Sequence, residues 1–252
     1  MPDKMSDEKK NLMKALGAEV IVTPTDVPPD SPQSYYSVAR RIAAETPQAL
    51  YPDQYNNPKN IEAHYHTTGP EVWEERGGDV DYLVAGIGTG GTLSGAGRYL
   101  KERNSKIGII AVDPEGSVFY DYFKNRKPGQ PHLYRIEGIG EDYLVKAVDF
   151  DIIDDIIQVN DRDSFLTARR LAKEEGIFAG GSSGSAVWAA LQLAENVDEG
   201  KNIVVILPDS GSRYLSKMYD NQWMIQQGFL SSAEKERRRK PSRKRKEGTD
   251  EV

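Results

Sequence analysis

The run Tyr82-Leu-Val-Ala-Gly-Ile-Gly-Thr-Gly-Gly-Thr-Leu-Ser-Gly95 constrains this chain more than any other stretch. A short apolar run leads into a glycine-rich loop, and a helical pattern begins at once. Strand, glycine loop and helix start, in that order, build an anion site. Glycine lets the backbone approach a ligand, the first N–H groups of the helix have no intrahelical acceptor, and the helix dipole adds positive potential. The expectation is a phosphorylated small molecule held at the end of a strand.

The surrounding sequence alternates helix and strand. Ser6 is a candidate cap for a helix ending at Leu16, with Gly17 after it, and residues 19–22 read as a strand. Residues 34–45 read as helix, 49–51 as a short apolar run, and 59–76 as helix broken near Gly69-Pro70. Strands are expected at 82–85, 107–112, 156–159 and 203–207. Helices are expected from about 92 to 103, from the Asn160 or Asp161 cap to Glu175, and from Gly180 onward. Residues 114–145, rich in Gly, Pro and Tyr, read as irregular. Alternation of this kind predicts an α/β fold, a mostly parallel sheet with helices on both faces. Ligands in such sheets sit at the carboxyl ends of the strands. Three Gly- or Ser-rich segments, 86–92, 180–185 and 208–212, follow apolar runs directly, so one crevice is expected to be lined by all three.

Composition narrows the chemistry. The 252 residues include no cysteine, which removes disulfides, thiolate nucleophiles and cysteine-ligated metals. No run approaches the roughly 18 apolar residues of a membrane span, and residues 1–4 lack the apolar core of a secretory signal. A cytoplasmic protein with no membrane partner is expected. His64 and His66 lie about 200° apart on a helix, on different faces, so no metal site is expected from them. Trp73, Trp188 and Trp223 read as packing residues. The net charge of −6 is uneven, because residues 235–246 hold nine Lys or Arg and one acid. That tail, from 231 to 252, reads as basic and disordered, with a nucleic-acid-contacting arm or a gene-end oddity as alternatives. The acidic body gives no nucleic-acid footprint.

The glycine loop admits two ligand readings. Gly86-x-Gly88-x-x-Gly91 matches a dinucleotide fingerprint, and Asp113 follows a strand where a ribose-binding acid would sit. That motif normally opens its domain, whereas here several elements precede it. A plain structural turn is the third possibility.

The second ligand reading rests on a resemblance. Gly88-Thr-Gly-Gly-Thr92 resembles the cofactor-phosphate loop of the fold-type II pyridoxal-phosphate enzymes, in particular the cystathionine β-synthase and cysteine synthase family. Residues 1–6, 16–20, 53–55, 112–117, 137–140, 179–185 and 207–215 resemble the same family in the same order, over about residues 1–230. The Asp113-Pro-Glu-Gly-Ser117, Gly138-Ile-Gly140 and Trp223 to Leu230 segments favour the cystathionine β-synthase branch. The resemblance implies a tryptophan synthase β-like fold, pyridoxal 5'-phosphate as cofactor, amino-acid substrates and a homodimer in the complete enzyme. It implies that Gly88, Thr89, Gly90, Gly91 and Thr92 cradle the phosphate and that Ser182 meets the pyridine nitrogen. A serine there leaves the ring a weaker electron sink than an aspartate would, which suits β-replacement. Gln54 is implied to hold substrate carboxylate, and Gly138 and Gly140 to form a mobile loop over the second substrate. Asp209 and Ser210 fall near the pyridine end. Glu141 stands where animal members often have tyrosine.

The resemblance begins in the middle of the family's catalytic domain. The Schiff-base lysine, in a Ser-x-Lys-Asp-Arg-like segment, and the Thr-Ser-Gly-Asn-Thr-like loop fall upstream of the region matched by Met1, and neither motif occurs in these 252 residues. No catalytic residue is therefore assigned, since that lysine also moves the Cα proton. A fragment or truncated gene model, half of a split enzyme, and a non-catalytic binding remnant are the three readings. Cystathionine synthesis from serine and homocysteine is the expected family reaction, with O-acetylserine plus sulfide as the close alternative. A Rossmann-type NAD(P) oxidoreductase is the alternative from another class.

Overall fold

The structure is a computed structural model that describes residues 1–231, so the basic-tail reading lies outside the described residues, save Ser231. Four parallel strands form the central sheet: β1 (Tyr82–Gly86), β2 (Gly108–Pro114), β3 (Asp155–Val159) and β4 (Ile203–Val205), in the order β3-β2-β1-β4. Val84 faces Ile110 across β1 and β2 and Val205 across β1 and β4.

Alternate strand residues enter different cores. Leu83, Ala85, Ile109 and Ala111 pack with Leu93, Ala96 and Leu100 of α5 (Gly91–Arg103) on one face. Val84, Ile110 and Val112 pack with Ala189 and Ala190 of α8 (Gly181–Ala194) on the other. Burial on both faces explains why β1 and β2 are almost wholly apolar. Helices α3 (Lys59–His66) and α4 (Thr68–Glu75) lie against α5, and α7 (Asp161–Glu174) lies against α8. Trp73, Trp188 and Trp223 each join a hydrophobic cluster.

The helix starts follow the capping residues. Ser6, Ser34 and Asn160 accept from the N–H groups of Lys9, Ser37 and Asp163, at 3.4, 3.2 and 2.9 Å. They open α1 (Asp7–Ala15), α2 (Tyr35–Glu45) and α7.

Several local expectations are corrected. Residues 19–22 form no strand. The next residue, Thr23, makes one bridge to Pro2, and Ile21 and Val22 stay exposed, because no further strand flanks them among the described residues. Residues 49–51 are coil, with Leu50 88% exposed. The break in the 59–76 helix falls at Thr67, not Gly69-Pro70. Pro70 sits in the first turn of α4, where a missing N–H costs nothing. Residues 114–145 contain a helix, α6 (Phe119–Asn125), and a 3₁₀ turn (Gly211–Tyr214) and α9 (Asn221–Gln226) follow β4.

Candidate active site

The glycine loop leaves β1 and enters α5 at the carboxyl edge of the sheet. Gly90 is left-handed, at φ 86°, and an added Cβ would sit 2.6 Å from Val148 and 2.7 Å from the Ala147 carbonyl. At Gly91 an added Cβ would overlap the Asn60 amide on α3. Both positions therefore require glycine, one for its conformation and one for the close approach of α3. The helix has no side-chain cap. Among the described residues, no acceptor meets the backbone N–H groups from Gly88 to Leu93, and the first bond is Ser94 N–H to the Gly90 carbonyl at 2.9 Å. A row of free donors at the positive end of a 13-residue helix is the donor set a phosphate monoester needs.

The two hydroxyls differ. Thr89 Oγ1 accepts from Asn60 Nδ2 at 2.9 Å, which leaves its O–H free to donate. Thr92 Oγ1 lies 3.1 Å from His64 Nε2, and His64 Nδ1 lies 2.8 Å from Thr68 Oγ1. Burial pushes the His64 imidazole below its usual value, which favours the neutral ring, and the ring braces Thr92.

The loop at residues 137–141 folds over this cradle. Gly140 N–H donates to the Ile87 carbonyl at 2.7 Å, and the Gly138 carbonyl stands 3.1 Å from where a Gly88 Cβ would be. Gly138 and Gly140 are both left-handed, at φ 94° and 77°. Glu137 anchors the loop from beneath. It is 2% exposed and takes Lys9 Nζ at 2.9 Å and Lys217 Nζ at 2.6 Å. Lys9 also reaches Tyr214 Oη at 2.7 Å, and Tyr214 donates to Asp209 at 2.6 Å. This chain of contacts ties the loop to the segment after β4. Asp209 in turn lies against Gly180, where any Cβ would overlap its Oδ1, and the Asp209 carbonyl accepts the Gly180 N–H at 3.0 Å.

A cleft of about 680 Å³ opens beside the cradle. It brings together Gln54, Thr89, Gly138 and Gly140 of the residues expected from sequence. Ser182 does not line it. It occupies the second position of α8, buried, and its hydroxyl has no partner among the described residues. Gly180 is the N-cap of α8. The neighbouring Ser183 hydroxyl is fully buried and unpartnered.

The cleft also holds residues that no periodicity marks. Lys4, Tyr35, Tyr36, Tyr55, Tyr134 and Glu141 line it. Burial pushes the Lys4 ammonium below its usual value and raises the phenols of Tyr35, Tyr36 and Tyr55. It lifts the Glu141 carboxyl to about 7, against the pull of the Tyr36 hydroxyl. The lone sequence signals were the Tyr35-Tyr36 pair behind a serine cap and the acid at 141.

The sequence matches the family model of pyridoxal-phosphate dependent enzymes over residues 1–209. The chain belongs to the pyridoxal-phosphate dependent enzyme family. Within it, the chain is 46% identical over 230 residues to cystathionine beta-synthase of Apis mellifera, covering 91% of this chain and 45% of that protein. It is 45% identical over 230 residues to cystathionine beta-synthase of Rattus norvegicus, covering 91% and 41%. It is 42% identical over 220 residues to cysteine synthase of Buchnera aphidicola, covering 86% and 67%. The chain thus spans less than half the length of the two cystathionine beta-synthases. Membership in a pyridoxal-phosphate family settles the dinucleotide question, and the fold agrees. Asp113, the acid a ribose would need, is fully buried, accepts the Tyr120 N–H at 2.9 Å and does not line the cleft. Among the described residues, no helix is long and apolar enough to cross a membrane.

Proposed function

We propose that this chain carries the phosphate-binding side and the second-substrate side of a pyridoxal-phosphate β-replacement site, used to join serine and homocysteine into cystathionine. The observation that carries the reading is the uncapped start of α5, with free N–H donors from Gly88 to Leu93 opening beside a cleft that contains Gln54 and the Gly138–Gly140 loop. When bound, pyridoxal phosphate supplies an electron sink that lets a β-substituent leave.

The chain's own residues have separate tasks. Gly88 to Thr92 bind the phosphate through backbone N–H groups and the Thr89 hydroxyl. Ser182 offers a neutral hydroxyl to the pyridine nitrogen. Gln54 orients a substrate carboxylate, and Gly138 and Gly140 cover the cleft and exclude water. The Ser-x-Lys-Asp-Arg-like segment does not occur in the sequence, so no residue here is given the Cα proton. O-acetylserine plus sulfide is the second reading, supported by the similarity to a cysteine synthase. A homodimeric assembly belongs to the same proposal.

The test is a tryptophan-fluorescence titration of the full chain with pyridoxal 5'-phosphate and with pyridoxal. The phosphate ester should bind at least roughly tenfold more tightly, since hydrogen bonds to a charged group are worth about 1.5–3 kcal/mol, and inorganic phosphate should compete. Equal binding of the two, or pyridoxal phosphate binding that inorganic phosphate does not weaken, would sink the reading.

A further inference from the structure

The inner wall of the cleft is more elaborate than a phosphate cradle needs. Glu141 is 9% exposed, and its Oε2 accepts the Tyr36 hydroxyl at 2.6 Å. Its Oε1 has no hydrogen bond, and no Lys, Arg or His nitrogen lies within salt-bridge distance of the carboxylate among the described residues. The backbone at this point is pinned. Glu141 N–H donates to Ser117 Oγ at 3.1 Å, and its carbonyl accepts the Val118 N–H at 3.1 Å. A buried carboxylate held still, with one oxygen taken by Tyr36 and the other unpartnered at the cleft, can receive a cation that enters there.

Lys4 lines the same cleft. Its ammonium sits 3.9 Å over the Tyr134 ring and makes no ion pair with Glu141, while the charges of Asp142, Glu137, Asp161 and Glu141 all act on it. An acid and a base that line one cleft without an ion pair between them offer separate partners for the two ends of an α-amino-acid zwitterion. The aromatic wall of Tyr35, Tyr36 and Tyr55 adds faces that favour an ammonium group.

We propose that Glu141 and Lys4 hold the ammonium and the carboxylate of the incoming amino-acid thiol, so that this chain selects a thiol borne on an α-amino acid over inorganic sulfide. The proposal rests on the β-replacement reading above and deepens it. A sulfide ion has neither group and gains nothing from either side chain.

The full chain is titrated by calorimetry with L-methionine, which carries the zwitterion and a sulfur that cannot react as a thiol, and with 4-(methylthio)butanoate, which lacks the amine. Wild type should prefer methionine on the order of 10- to 100-fold. Glu141→Gln keeps a group that accepts from Tyr36 and should bring the ratio near one while leaving the butanoate affinity unchanged. Lys4→Met should weaken both ligands alike and preserve the ratio. Methionine affinity should climb from pH 6 to pH 8 as Glu141 ionises, with Tyr36, Tyr35, Tyr55, Tyr134, Tyr143, Asp142, Asp113 and Lys4 as the other titratable groups coupled to it through charge. Equal binding of the two ligands, no binding at millimolar concentration, or an undiminished ratio in Glu141→Gln would overturn the proposal. Pyridoxal phosphate binding without methionine discrimination defeats this inference alone, whereas discrimination without pyridoxal phosphate binding defeats the broader reading.

Discussion

Replacing Asp113 with asparagine should stabilise the protein at pH 8 and change the pH dependence of its stability. Asp113 is fully buried at the end of β2. Its Oδ2 takes the Tyr120 N–H, and its Oδ1 has no partner. Burial lifts the carboxyl from 3.8 to about 7. The folded chain therefore keeps a proton that the unfolded chain has released, and this contribution is present at pH below about 4 and lost as pH rises through 7. A shift of about three units at 1.36 kcal/mol each comes to about 4 kcal/mol as an upper order of magnitude. Asparagine cannot ionise, so its own effect is a pH-independent offset from placing an amide where Oδ1 lacked a partner. The assay is urea unfolding of both proteins at several pH values between 4 and 8.5. The variant should gain on wild type by about 2–4 kcal/mol across that range, equivalent to a melting shift on the order of 10 °C. Parallel curves, or a variant that loses ground as pH rises, would refute the reasoning. Burial also lifts the Glu141 carboxyl to about 7, so Glu141→Gln should flatten a further part of the slope.

Other outcomes follow from the same contacts. Gly90→Ala should weaken pyridoxal phosphate binding and cost roughly 1–3 kcal/mol of stability through the left-handed backbone and the Val148 contact, read by titration and thermal unfolding. Glu137→Gln leaves Lys9 and Lys217 sharing a neutral partner and should cost about 3 kcal/mol, with faster hydrogen exchange around residues 137–141. Asn60→Ala frees Thr89 Oγ1 and should lower pyridoxal phosphate affinity by a few-fold without unfolding the chain, as measured by fluorescence.

Much of the sheet was legible because β1 and β2 are buried on both faces and so read as continuous apolar runs, and because Ser6, Ser34 and Asn160 mark helix starts by their own hydrogen bonds. Residues 19–22 misled for the converse reason. A β-prone run becomes a strand only when a neighbour is there to pair with it, and pairing is not a local property. Helix α6 was hidden by the glycines and prolines around it. The glycine loop announced itself through Gly90 and Gly91, whose need for glycine is local and steric. The approach of Lys4, Tyr36, Tyr55 and Glu141 had no such signal. Their separations in sequence follow no period, and only the closing of the 137–141 loop brings them to one cleft.

The strand order has a consequence for how the protein reaches its native state. β1 pairs with β2 about 26 residues onward, but its other edge waits for β4, roughly 120 residues away. During synthesis, then, an apolar strand stands with one hydrogen-bonding edge open until most of the chain has emerged. Long-range parallel pairing is slow, and an open apolar edge is a template for intermolecular association. Low temperature and slow expression should therefore raise the yield of folded protein, whereas substitutions that weaken β4 should reduce yield by promoting aggregation before they alter the finished site.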